Sequence, residues 1–92
     1  MQQQLLLAIR GSGQGWLSVG QVAEELMLAP HSALGLVDRS VARGLVAREV
    51  DPDDHRRVRV SLLPCGRELI TRLTLAHREE LRRLWSRIPE PR

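Results

Sequence analysis

The chain has 92 residues, a net charge of +3, 42% hydrophobic residues and 27% charged ones. That length holds one hydrophobic core and excludes large catalytic barrels and doubly wound sheets, and the composition is that of a folded globular domain. The longest apolar run, Leu5–Ile9, is far below the ~20 residues of a membrane span and lacks the basic leader of a secretory signal, so a cytoplasmic protein with no membrane partner is expected.

All 14 cations are arginine, and the only cysteine is Cys65, which excludes an intrachain disulfide. In chain order, Leu5-Leu6-Leu7-Ala8-Ile9-Arg10 reads as a short first helix. Gly11, Gly13 and Gly15 stop it, because three glycines in five positions cost too much backbone entropy inside a helix. A second helix starts at Ser18, which forms a capping box with Gln21 and is flanked by Leu17 and Val22 at the staple positions. Val22, Ala23, Leu26 and Met27 then make an apolar stripe at helical spacing. Pro30 suits the first turn of a third helix, which runs to about Arg43. Ala33, Leu36, Val37 and Val41 lie on one side of it, and Ser32, Gly35, Asp38, Arg39 and Arg43 on the other. Gly44 sits where a left-handed residue terminates a helix.

Leu45–Val50 reads as a strand, and Asp51-Pro52-Asp53-Asp54 has the chemistry of a type I turn. Val58, Val60 and Leu62 alternate with Arg57, Arg59 and Ser61, the period of a half-buried strand. From Pro64 to about Ile88 a long helix repeats apolar residues at three- and four-residue steps, before Pro89 and Pro91 end it. The order predicts a mostly α fold with a small β-hairpin wing. This is a winged helix-turn-helix over residues 1–63, with a long C-terminal dimerisation helix over residues 64–92 in the same compact unit. Such a motif sets its second helix in the major groove of DNA.

Arg39 and Arg43, one turn apart on the polar face of the third helix, are the first candidates for contacts to phosphate or guanine. His31 at the start of that helix, with Ser32 and Gly35, completes the face. On the hairpin, Arg56, Arg57 and Arg59 are suited to the DNA backbone or minor groove. Asp51, Asp53 and Asp54 oppose them at the tip, a conflict that resolves if at least one aspartate holds an arginine in place. Glu68–Arg72 and Glu79–Arg83 are pairs four residues apart, which makes the last helix a solvated, ion-paired surface around a seam. Cys65 reads as a surface residue of its first turn. His31, His55 and His77 lack metal-ligand spacing. No carboxylate pair, no nucleophile with a base and no phosphate-cradling loop stands out, so no enzyme, catalytic residue, metal or cofactor is expected.

The last helix is longer than the domain it leaves, yet its apolar stripe continues towards its end. An exposed stripe is unfavourable at ~25 cal/mol per Å² of apolar surface. A second copy is therefore expected over Leu73, Leu81, Leu84, Trp85 and Ile88, with Leu5, Leu6 and Ile9 of the first helix packed against the same seam.

The run Pro30-His31-Ser32, Gly35-Leu36-Val37-Asp38-Arg39 and Arg43-Gly44-Leu45-Val46 resembles the recognition helix of the MarR family of bacterial transcription regulators. Arg48-Glu49, Asp51-Pro52-Asp53-Asp54-His55-Arg56-Arg57 and Leu62-Leu63-Pro64-Cys65-Gly66-Arg67 resemble that family's wing and the start of its dimerisation helix. With Leu17–Ala23 the likeness covers roughly residues 16–70. It implies a homodimer that binds double-stranded promoter DNA at a pseudo-palindromic operator, usually as a repressor. It also implies that Asp54 and Arg56 correspond to the family's wing Asp-x-Arg pair, in which the aspartate holds an arginine that enters the minor groove, with Arg57 beside it. The chain departs from the family's pattern at Leu34, commonly a small polar residue, at Ser40, commonly a core leucine, and at Leu63, commonly a capping threonine whose loss costs about 1 kcal/mol. About ten residues precede the glycine loop, where the family carries a long helix that helps wall an effector pocket. Leu34 and the acidic tip favour the alternative of a winged-helix protein–protein adaptor without DNA binding.

Overall fold

The computed structural model describes residues 1–87, with side chains described through residue 84. The elements are α1 (Gln2–Gly11), β1 (Trp16–Ser18), α2 (Val19–Leu26), α3 (Pro30–Ala42), β2 (Val46–Val50), β3 (Val58–Leu62) and α4 (Pro64–Arg87). Local chemistry sets their limits. Ser18 Oγ accepts from the Gln21 N–H at 3.1 Å and Gln21 Oε1 accepts from the Ser18 N–H at 2.9 Å, the reciprocal box that opens α2. Gly44, at φ +73°, turns the chain out of α3 in a conformation that costs other residues energy. Its N–H donates to Val41 O at 2.9 Å and that of Leu45 to Ser40 O at 3.0 Å, so the last carbonyls of the helix are used.

The hairpin is joined by a third strand. β1 pairs antiparallel with β3, Leu17 opposite Val60, and β3 pairs antiparallel with β2, Arg48 opposite Val60, giving the order β1-β3-β2. At three residues β1 is too short to show a period of two, so its sequence reads only as the approach to a helix cap. At the tip, Arg57 N–H donates to Asp54 O at 2.9 Å, so the hydrogen-bonded reversal lies over Asp54–Arg57, three residues beyond the expected one.

One aliphatic core joins every element: Leu5, Leu6 and Ile9 from α1, Leu17, Val22, Ala33, Leu36 and Val37, Val46 and Val60 from the sheet, and Ile70 from α4. Three expectations are corrected here. The buried stripe of α3 is Ala33, Leu36, Val37 and Ser40, not Val41, which is exposed. Ser40 can be buried because its hydroxyl donates to Leu36 O at 2.9 Å. Met27 does not continue the α2 stripe: it is the left-handed C-cap, at φ 56°, and 92% exposed, while Leu28 packs on the core in its place. Leu5, Leu6 and Ile9 are enclosed by the chain's own core, so they have no surface left for a dimer seam.

α4 carries 24 residues, about 36 Å at 1.5 Å each. Ile70 and Leu73 fix its first turns to the core, and Arg10 Nη1 reaches Thr74 Oγ1 at 3.5 Å. Beyond that Leu75, Leu81 and Leu84 are exposed. The molecule is accordingly long, 58 × 25 × 22 Å, with a radius of gyration of 16.3 Å against ~12 Å for a compact chain of this length. The side chain of Trp85 and all of Ile88, both expected in the seam, lie outside the described residues. No described helix is long and apolar enough to cross a membrane.

The base of α4 is tightly fitted. Leu63 N–H donates to Leu45 O at 3.0 Å, and Gly66 lies so close to that carbonyl that a Cβ would come within 2.1 Å of it. Only glycine lets the first turn of α4 rest on the end of α3.

Candidate nucleic-acid interface

α3 and the wing meet across a groove whose lining includes Leu34 of α3, Val19 and Gly20 at the start of α2, and Arg56, Arg57 and Val58 of the hairpin. Asp38 of α3 is ion-paired with Arg48 of β2, tying the helix to the sheet. The wing and the helix are thus held as one unit.

On α3, His31 and Arg39 are exposed and Ser32 and Gly35 half-buried. The missing side chain at Gly35 leaves room for the Arg39 guanidinium: a Cβ there would lie 3.3 Å from Arg39 Nη1. Arg43 is exposed but engaged, its Nη1 donating to Gln2 Oε1 of α1 at 2.9 Å. It is therefore drawn towards the N-terminal helix, a contact that helical periodicity alone does not reveal.

In the wing, Asp54 Oδ1 accepts from the backbone N–H of Arg56 at 3.0 Å and approaches its Nε at 3.5 Å. The Arg56 side chain is nevertheless 93% exposed. The aspartate fixes the root of the side chain and leaves the guanidinium edge outward. Arg57 is exposed beside it.

Arg59 has another role. Its Nη2 pairs with Asp51 Oδ1 at 3.3 Å, and its guanidinium lies 4.2 Å from the ring centroid of Trp16, with Arg57 at 6.0 Å from the same ring. Such stacking of a cation on an aromatic face adds about 0.5–1 kcal/mol at a partly exposed site. The register explains it: Ser18 lies opposite Arg59 and Trp16 opposite Ser61, so Trp16 and Arg59 are diagonal neighbours within reach of long side chains. Asp51 is buried and also accepts from the Asp53 N–H at 2.8 Å. That amide, and then the Arg59 guanidinium, hold its carboxyl below the usual carboxylate range against the opposing effect of burial. Of the three acidic residues at the tip, Asp51 braces the wing and Asp54 positions Arg56. Trp16 was not legible as part of this unit, because its contact with Arg59 depends on the unforeseen β1.

Among the described residues no group of three His, Cys, Asp or Glu could hold a metal ion, and Cys65 is free and exposed.

Comparison with known proteins follows the same lines. The sequence pattern of the MarR family matches residues 1–57. Over 68 residues the chain is 35% identical to the uncharacterized HTH-type transcriptional regulator YsmB of Bacillus subtilis, a match that covers 74% of this chain and 47% of that protein. A mutant of S. aureus MepR bound to an oligodeoxyribonucleotide has a TM-score of 0.85 at 25% identity, over 97% of this chain and 64% of its own. A mutant of E. coli MarR complexed with operator DNA has a TM-score of 0.71 at 25% identity, over 77% of this chain and 49% of its own. The chain thus spans about half the length of the curated relative it matches.

Proposed function

The chain belongs to the MarR family, and from that membership we propose that it is a homodimeric, sequence-specific DNA-binding regulator acting as a repressor at a pseudo-palindromic operator. The observation that carries the reading is the Asp54-positioned, outward-facing Arg56 beside Arg57, across one groove from α3. In this reading α3 enters the major groove with His31, Ser32, Gly35 and Arg39, and Arg56 and Arg57 reach the adjacent backbone or minor groove. Arg43 contributes to the backbone if it leaves Gln2. The DNA held by the MepR and MarR mutants supports the same use of the fold. The exposed Leu75, Leu81 and Leu84 of α4 support a second copy along that helix.

If Arg39, Arg56 and Arg57 of two copies each neutralise a phosphate, about six contacts form. Affinity for duplex DNA is then expected to fall roughly a thousandfold between about 50 and 200 mM salt. Fluorescence anisotropy of a labelled duplex across that range tests it. A flat response, or no binding at the low end, would sink the regulator and leave the adaptor. Arg56→Ala is expected to weaken binding with the thermal unfolding midpoint unchanged.

A further inference from the structure

Leu34 is the member of the groove that phosphate contacts leave unused. It sits on α3, is 45% exposed, and lines the groove shared with the wing. Val19 and Val58 continue its apolar surface, and the charged groups lining the same groove are Arg56 and Arg57. An apolar floor under a cationic rim selects an occupant that carries both an apolar group and negative charge. Duplex DNA has that combination, with phosphates along its edges and the thymine 5-methyl displayed in the major groove. A cytosine at the same place offers an amino group instead, and leucine has nothing to accept it with.

We propose that Leu34 is a specificity-determining residue that packs on the 5-methyl of one thymine per bound α3, while Arg56 and Arg57 hold the backbone beside it. This rests on the DNA-binding reading above. It makes the leucine a reader of the operator and not a blemish on the recognition helix. Removal of one buried methyl is expected to cost about fourfold in affinity.

The test starts from duplexes selected out of a random pool by the intact chain. In a selected duplex each thymidine is replaced in turn by deoxyuridine, which removes the methyl and keeps the base pair. One thymidine per half-site is expected to lose about fourfold in affinity, and Leu34→Ala is expected to bind the thymidine and deoxyuridine duplexes equally. Circular dichroism of Leu34→Ala, at an exposed position, checks that the fold is kept. Equal affinity for every deoxyuridine duplex overturns the proposal while the DNA-binding function stands. Unchanged discrimination in Leu34→Ala assigns the methyl to another residue, frees Leu34 for a protein partner and overturns it too. Failure of the pool to enrich any duplex overturns both readings.

Discussion

At the root of the wing loop, Asp51 joins the two strands in more than one way. Its N–H donates to Arg57 O at 2.9 Å across the loop, while its carboxylate accepts from Asp53 and pairs with Arg59. The Asp53 amide, and then Arg59, favour the charged carboxylate, so its pKa in the fold lies below the ordinary 3.8. A group whose pKa falls on folding stabilises the fold while it is ionised. The contribution is therefore complete well above 3.8 and is lost as the pH falls through the lower folded-state value. Asp51→Asn keeps the shape and removes the charge. Its deficit in thermal unfolding midpoint is expected to be widest near neutrality and to narrow below about pH 4, as linkage requires. A deficit of constant size from pH 7 to pH 3, measured by circular dichroism, would show that the charge is immaterial and only the amide contact counts.

Among the elements, α4 depends on its first turn. The Leu45 carbonyl fills the space a side chain at Gly66 would occupy, and backbone cannot move aside as a flexible side chain can. Gly66→Ala is expected to destabilise the fold by about 1–3 kcal/mol, the range for forced overpacking, read as a lower urea midpoint with an unchanged slope. Stability equal to the natural chain would mean that α4 can shift without cost. Elements with local signals were legible in the sequence: the Ser18 box, Pro30 at the head of α3, Gly44 at its end, and the period of two in β3 all act within a few residues. What stayed hidden depends on distant partners. The run Leu5-Leu6-Leu7-Ala8-Ile9 announces burial without saying by what, and the structure turns Leu5, Leu6 and Ile9 into the chain's own core while Leu7 faces out. Ser40 looks like a gap in an apolar stripe until its hydroxyl finds Leu36 O. In the candidate interface the Asp54–Arg56 pair was implied by the family resemblance alone, while the residues themselves said only that some aspartate of the tip holds some arginine. The tie of Arg43 to Gln2 was not, because 41 residues separate the two.

For the whole molecule, the exposed outer half of α4 sets the expected assembly. Leu75, Leu81 and Leu84 stand free of the core, and a second copy is expected to cover them. Sedimentation equilibrium at micromolar protein is expected to give twice the 10.4 kDa chain mass. Leu84→Glu places a charge in that seam and is expected to shift the equilibrium to the monomer while the helical content of the core is kept. A natural chain that sediments as a monomer excludes the pair, and a Leu84→Glu variant that stays dimeric moves the seam elsewhere on the surface.

The close contact of Gly66 on Leu45 also makes the base of α4 a fulcrum. Leu45 directly follows the turn that ends α3; its N–H donates to Ser40 O and its carbonyl accepts from the Leu63 N–H, so one residue joins the end of that helix to the foot of a lever about 36 Å long. A tilt of 5° about that point would swing the far end of the lever by roughly 3 Å, given a rise of about 1.5 Å per residue. A movement of that size is roughly half of the ~5.4 Å that separates successive turns of a helix. In the homodimer proposed above, a tilt of α4 on this seat by a few degrees would change how far apart the two copies of α3 stand, without altering any residue of α3 itself.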